Sequence, residues 1–107
     1  MKIIISSTGN DLESNVDSRF GRCAYFAVHD TATGTTEFVE NPNKQAEEGA
    51  GPASVRLVAS LGAEKVVSGE FGFKIKSLLT DLNIRMIILK EEKTISEVIA
   101  LTPLNQE

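Results

Sequence analysis

Three consecutive isoleucines, Ile3-Ile4-Ile5, stand between Lys2 and Ser6 and leave a short extended segment with no polar face. Strand side chains alternate between the two faces of a sheet, so a run that is apolar at every position must be covered on both. That requirement excludes a one-sided sheet and makes the first strand an inner one. The runs that follow fit the same demand. Ala24-Tyr25-Phe26-Ala27-Val28-His29 and Thr35-Thr36-Glu37-Phe38-Val39-Glu40 are β-rich and joined by Asp30-Thr31-Ala32-Thr33-Gly34, a connection of hairpin length that contains glycine, so they are expected to pair antiparallel. Lys65-Val66-Val67-Ser68 and Ile84-Arg85-Met86-Ile87-Ile88-Leu89 read as two further core strands.

Helical signals separate these strands. Pro52 suits a first helical turn and Gly62 the position just past an end, with Val55, Val58, Ala59 and Leu61 forming an apolar side between them. After Gly69-Glu70-Phe71-Gly72, the spacing of Ile75, Leu78, Leu79 and Leu82 predicts a second helix, which Asn83 can end in a left-handed conformation. Thr94-Ile95-Ser96-Glu97 has the spacing of a capping box that opens a third helix toward Leu101, and Pro103 would stop it. The order β-β-β-α-β-α-β-α combines a hairpin with two helical crossovers and implies a mixed sheet with helices on both faces.

A chain of 107 residues supports one hydrophobic core, so residues 1–107 are read as a single domain. No apolar run approaches the ~20 residues needed to span a bilayer, and the start is too short for a signal-peptide core, which predicts a cytoplasmic, soluble protein. The net charge of -4 is uneven: residues 1–50 carry four Lys/Arg against eight Asp/Glu, and residues 51–107 carry seven of each. Nucleic acid binding depends on clustered basic residues and is not expected. One cysteine cannot form an internal disulfide, nor supply alone the thiolates of a tetrahedral zinc site or a conventional iron–sulfur cluster.

The polar stretch from Ser7 to Gly21 is long for a compact domain, and loops of that kind are often functional. Its far end, Val16-Asp17-Ser18-Arg19-Phe20-Gly21-Arg22-Cys23, is the richest in chemistry. Arg19 and Arg22 offer planar donor forks suited to oxyanions. Phe20 either shields a bound group or plugs the loop into the core, and Gly21 makes the turn into the second strand. Cys23, beside a guanidinium, is either a thiol of lowered pKa or a buried core residue. The crevice at the carboxyl ends of the parallel strands is the favoured ligand site of an open α/β sheet, and the turns after the first, fourth and fifth strands should converge there. Gly69 and Gly72 would let backbone approach a ligand beside a helix N-terminus, although a tight strand-to-helix turn needs them equally.

Other polar residues read as structural. His29 lies six strand positions from Cys23, about 20 Å, too far for a nucleophilic pair. Lys74 and Lys76 suit a solvated helix face, although Lys74 is placed to reach the same mouth. Glu47-Glu48 belongs to an acidic segment, Lys44 to Gly51, expected to be solubilising and mobile.

Taken together, Arg19-Phe20-Gly21-Arg22, the aromatic strand with Tyr25 and Phe26, Asn41, Gly49-Ala50-Gly51 and Gly69-Glu70-Phe71-Gly72 resemble the dinitrogenase iron–molybdenum cofactor biosynthesis, or cofactor-binding, domain over most of the chain. The resemblance implies an α/β fold, a ribonuclease H-like three-layer α/β/α sandwich with a mixed five-stranded sheet. It also implies a non-catalytic protein that binds, carries or helps assemble an anionic metal–sulfur cofactor of the iron–molybdenum type, exchanged with assembly or acceptor proteins. Phe20, Gly21, Arg22, Gly51, Gly69 and Gly72 match the family's positions as cofactor-binding residues; Arg19 and Cys23 join them on local chemistry, with Cys23 a candidate metal ligand. Many members place histidine directly before the Phe-Gly pair, where this chain has Arg19, which removes a metal ligand from that position. The alternative is a regulatory or protein-interaction module that binds a partner protein or a small anion without metal. A nuclease is not expected, because the first strand has none of the carboxylates that hold magnesium.

Overall fold

The isoleucine run forms an inner strand. In a computed structural model of the protein, which describes residues 1–46 and 48–101, β1 (Lys2–Ser7) lies in the middle of a five-stranded sheet. It is flanked on one side by β2 (Tyr25–Asp30) and then β3 (Thr35–Glu40), and on the other by β4 (Lys65–Ser68) and β5 (Arg85–Ile88). The pairs β1–β2 and β2–β3 are antiparallel, while β1–β4 and β4–β5 are parallel, so the sheet is mixed. Helices α1 (Ala50–Ser60), α2 (Phe73–Asp81) and α3 (Ile95–Ala100) complete the α/β architecture.

The two-residue alternation of β1 divides the core. Ile4 packs with Phe26, Val28 and Val66 against Val55 and Val58 of α1 and Leu79 of α2. Ile3 and Ile5 face the other way and pack with Ala27 and Val67 against Ile95 and Val98 of α3. All three isoleucines are fully buried, and each such side chain stabilises the fold by roughly 1.5–3 kcal/mol relative to exposure. Helices therefore cover both faces, an arrangement compatible with a three-layer sandwich.

Local signals hold where the sequence carries them. Gly62 (φ 86°) and Asn83 (φ 61°) are left-handed just beyond α1 and α2. At α3 the Thr94 hydroxyl accepts from Glu97 N–H at 3.2 Å, and the Glu97 carboxylate accepts from Thr94 N–H at 2.8 Å. His29 places Nδ1 2.9 Å from Thr36 Oγ1, a cross-strand contact between paired residues. Pro103 and Glu47 lie outside the described residues.

Hydrogen bonds tie two loops to the elements beside them. The stretch after β1 lies across the start of α3: Ile95 N–H donates to Ser14 O at 2.8 Å and Ser96 N–H to Leu12 O at 2.9 Å. After β3, the turn at Asn41–Asn43 is fastened to the core, and the segment expected to be mobile, Lys44 to Gly51, is held at Lys44 and Ala46. Buried Asn41 donates from Nδ2 to Cys23 O at 3.0 Å and accepts at Oδ1 from Asn43 N–H at 3.1 Å, and Arg22 Nη1 donates to the carbonyls of Lys44 and Ala46.

Candidate anion-binding site

The segment from Asp17 to Cys23 is pinned to the carboxyl ends of the central strands. Asp17 N–H donates to Ser6 O at 2.8 Å, and Asp17 O accepts from Ser68 Oγ and Gly69 N–H, each at 3.3 Å. Its carboxylate, nearly buried, accepts from Arg19 N–H at 2.9 Å and Arg19 Nε at 3.5 Å. Phe20 is only 2% exposed, its ring centroid 5.5 Å from both Phe26 and Phe71. It is the plug that holds the loop to the core, and its edge reaches the floor of a cleft.

Among the described residues, two clefts open at this end of the molecule, and one wall separates them. The larger, about 570 Å³, lies where the turns after β1, β4 and β5 converge, and Thr8, Gly69 and Leu89 mark those three turns. The smaller, about 400 Å³, lies between the loop at Arg19–Arg22 and the N-termini of α1 and α2, with Gly49, Ala50, Gly51, Gly72 and Ile75 on its walls. Arg19 and Glu70 line both, and their backbones join in a parallel bridge. The glycines and arginines expected at one crevice divide between the two. The structure puts Gly69 in the larger cleft and Gly21, Arg22, Gly51 and Gly72 in the smaller.

Electrostatics distinguish the clefts. The larger carries Asp17, Glu70, Glu91 and Glu92 against Arg19 and Lys90, a surplus of acid that disfavours an anion. Among the described residues, the smaller carries Arg19 and Arg22 against Glu70. Both helices that open onto it lack a side-chain cap and have no acidic residue in the first turn. Their first N–H groups have no intrahelical partners, and each helix presents about half a positive charge at that end. Pro52 contributes no N–H, so α1 offers those of Ala50 and Gly51. Arg19, with its side chain 57% exposed, engages Asp17 through Nε and leaves its terminal nitrogens without a partner among the described residues. Arg22 spends Nη1 on the two loop carbonyls and keeps its remaining donors.

The glycines have different reasons to be there. A Cβ on Gly69 would lie 2.6 Å from Ser18 Cα, and one on Gly21 would lie 3.1 Å from Gly51 Cα, so these positions are small because two backbones meet. At Gly51 the obstacle is the Ile75 side chain, 2.7 Å away. Gly72 is the open one: a Cβ there would meet only Ile75, at 3.8 Å, which leaves the α2 N-terminus accessible to a ligand.

Cys23 takes the second of its two readings, the buried core residue. It does not line either cleft and is fully buried behind the Phe20 loop, where Sγ lies 3.5 Å from Phe20 O and 3.8 Å from Asn41 Nδ2. Burial, with a smaller contribution from the nearby Asp17 carboxylate, pushes its thiol up to about 12. The neighbour in sequence that suggested a lowered value, Arg22, directs Nη1 at Lys44 and Ala46 instead.

Three positioning residues stood outside the sequence-derived site. Asn41 and Ser54 both donate to Gly21 O, at 3.4 and 3.0 Å, and fix the turn of the loop. Glu70 forms the wall shared by the clefts. The Asn41-Pro42-Asn43 turn is a visible signal for the first, and Glu70 lies inside the Gly69–Gly72 turn expected at the crevice; nothing local marks Ser54. Among the described residues, no group of three His, Cys, Asp or Glu side chains could hold a metal ion.

The fold is an α/β domain in which two arginines and the N-termini of two helices line one cleft. The chain belongs to the dinitrogenase iron-molybdenum cofactor family, whose model matches residues 1–102. Among solved structures, the apo form of the orange protein from Desulfovibrio gigas superposes with a TM-score of 0.90 at 30% identity, over 98% of this chain and 88% of that one. A Thermotoga protein solved by NMR, TM1290, described as NifB-related and of the DUF35 family, gives 0.83 at 30% identity over 98% and 89%. The crystal structure of PH0822 gives 0.79 at 26% identity over 94% and 88%. No curated protein matches the chain. The family assigns it to cofactor binding or carriage, and no helix among the described residues is long and apolar enough to cross a membrane.

Proposed function

We propose that the protein is a non-catalytic carrier that holds an anionic metal–sulfur cofactor, of the iron–molybdenum type or a relative, in the 400 Å³ cleft. The observation that carries this reading is the convergence of two uncapped helix N-termini and two arginines on one cleft, in a family defined by such a cofactor. The donor set suits it. Backbone N–H groups and guanidinium forks hold an anion by charge-assisted hydrogen bonds and leave its own bonds intact, as a carrier that must release its cargo requires.

Each residue then has a part. Arg19 supplies free donors from the wall shared with the larger cleft. Arg22 faces the cargo with the donors that the loop carbonyls leave over. Gly72 keeps the α2 N-terminus open, Gly21 and Gly51 let the two walls approach, and Phe20 closes the floor against water. Cys23 supports the loop from behind.

Anaerobic loading with iron–sulfur and molybdenum–sulfur clusters, followed by metal and acid-labile sulfide analysis, tests the proposal. The wild type should retain cluster stoichiometrically. Arg19→Ala should weaken retention roughly 10- to 100-fold, the value of one or two hydrogen bonds to a charged group, and Cys23→Ser should retain it. No retention by the wild type, or equal retention by Arg19→Ala and Arg22→Ala, would exclude this cleft.

A further inference from the structure

Phe73 is 91% exposed, the most exposed of the large hydrophobic side chains in the described residues. It opens α2 directly after Gly72, so it stands at the lip of the smaller cleft without lining it. Lys74 and Lys76 follow, both exposed and with no ion pair among the described residues. All three choices are locally unfavourable. An aromatic ring in water forgoes the burial that favours it, and cations in a first helical turn oppose the helix dipole. Each would be relieved by the same event, the arrival of an apolar and acidic surface.

We infer that the Phe73, Lys74 and Lys76 end of α2 is the docking surface for a protein partner that presents an apolar socket ringed by carboxylates. The inference rests on the carrier reading, since a surface at the lip of the cleft would bring an acceptor's site over the cargo. Charge complementarity selects the occupant. The chain is acidic overall, at -4, yet this end of α2 carries two lysines, with Arg22 across the cleft and Glu70 as the nearby offset. Asp81 lies at the far end of the helix. A buried aromatic encircled by rim charges is the usual anatomy of an interface hot spot, in which the ring supplies affinity and the charges supply steering and selectivity.

Site-specific photo-crosslinking in cells tests this directly. The full chain carries p-benzoylphenylalanine at position 73, or at exposed Thr33 in the β2–β3 turn as control, and the captured peptide is sequenced by mass spectrometry. The expected result is one partner protein, joined from position 73 and not from position 33, through a peptide with several Asp or Glu residues. The Lys74→Glu/Lys76→Glu pair should lower its yield at least fivefold. With that partner purified, Phe73→Ser should weaken binding roughly 30-fold, as loss of a hot-spot side chain does. Crosslinks to a second copy of the chain or to RNA, no partner specific to position 73, or yields insensitive to the lysine reversal would overturn the inference. The crosslink needs no cofactor, so it can fail while cluster retention succeeds, and the reverse. Loss of cluster retention in Phe73→Ser would place the ring on the cargo and also refute it.

Discussion

The buried thiol makes a quantitative prediction. In the native state Cys23 holds its proton until about 12, against 9.0 for an unperturbed thiol. Between these values the unfolded chain binds fewer protons than the folded one, so this group's stabilisation is complete below pH 9 and is lost as pH rises toward 12. At 1.36 kcal/mol per decade the whole effect approaches about 4 kcal/mol. At pH 10, where the unfolded thiol is already about ten-elevenths ionised, it amounts to about 1.4 kcal/mol.

Urea unfolding of the wild type and Cys23→Ala at pH 7 and pH 10, followed by circular dichroism, isolates the contribution. Other titrating groups are common to both proteins and cancel in the double difference. The wild type should lose about 1.4 kcal/mol more than the variant between the two pH values. Equal losses would refute the argument, as would alkylation of native Cys23 at the rate of a free thiol at pH 8. At pH 7 the thiol lies about five decades below its native value, so a metal ligated by Cys23 would have to drive both ionisation and opening of the Phe20 loop.

Two further predictions concern the frame around the cleft. Gly69→Ala should cost about 1–3 kcal/mol in urea unfolding, because its Cβ would fall 2.6 Å from Ser18 Cα and backbone must move; a neutral effect would return Gly69 to the role of ligand contact. Thr94→Ala removes the hydroxyl of the capping box and should cost about 1 kcal/mol in the same assay, with faster amide exchange confined to α3 and the loop at Leu12–Ser14 that it supports.

What was legible in the sequence followed from local chemistry. The strands announce themselves because each carries enough apolar residues to require a covered position, and β1 reads as inner because Ile3, Ile4 and Ile5 leave it no exposed face. The Thr94–Glu97 box and the Asn83 ending work within a few residues and appear in the structure as read. Contacts made at a distance did not show. Ser54 reaches Gly21 from another element, and the Arg19–Glu70 bridge joins two turns about fifty positions apart, so one expected crevice is two. Cys23 stood between two readings for the same reason. Adjacency in sequence put a guanidinium beside the thiol, whereas Arg22 Nη1 reaches loop carbonyls and the thiol sits in the core.

An acidic chain can still build an anion site, because the field inside a cleft is set by the groups that line it and not by the net charge. The larger cleft occupies the favoured ligand position of an open α/β sheet, yet its four carboxylates outnumber its two cations. The smaller cleft gains its character from features without formal charge, the open N-termini of α1 and α2, which an acidic cap or first-turn glutamate would have cancelled. Glu70 belongs to both walls and is the carboxylate set against the two arginines in the smaller cleft. In the proposed carrier, its position would limit how tightly an anionic cargo is held there, and a carrier that must surrender its cargo needs such a limit.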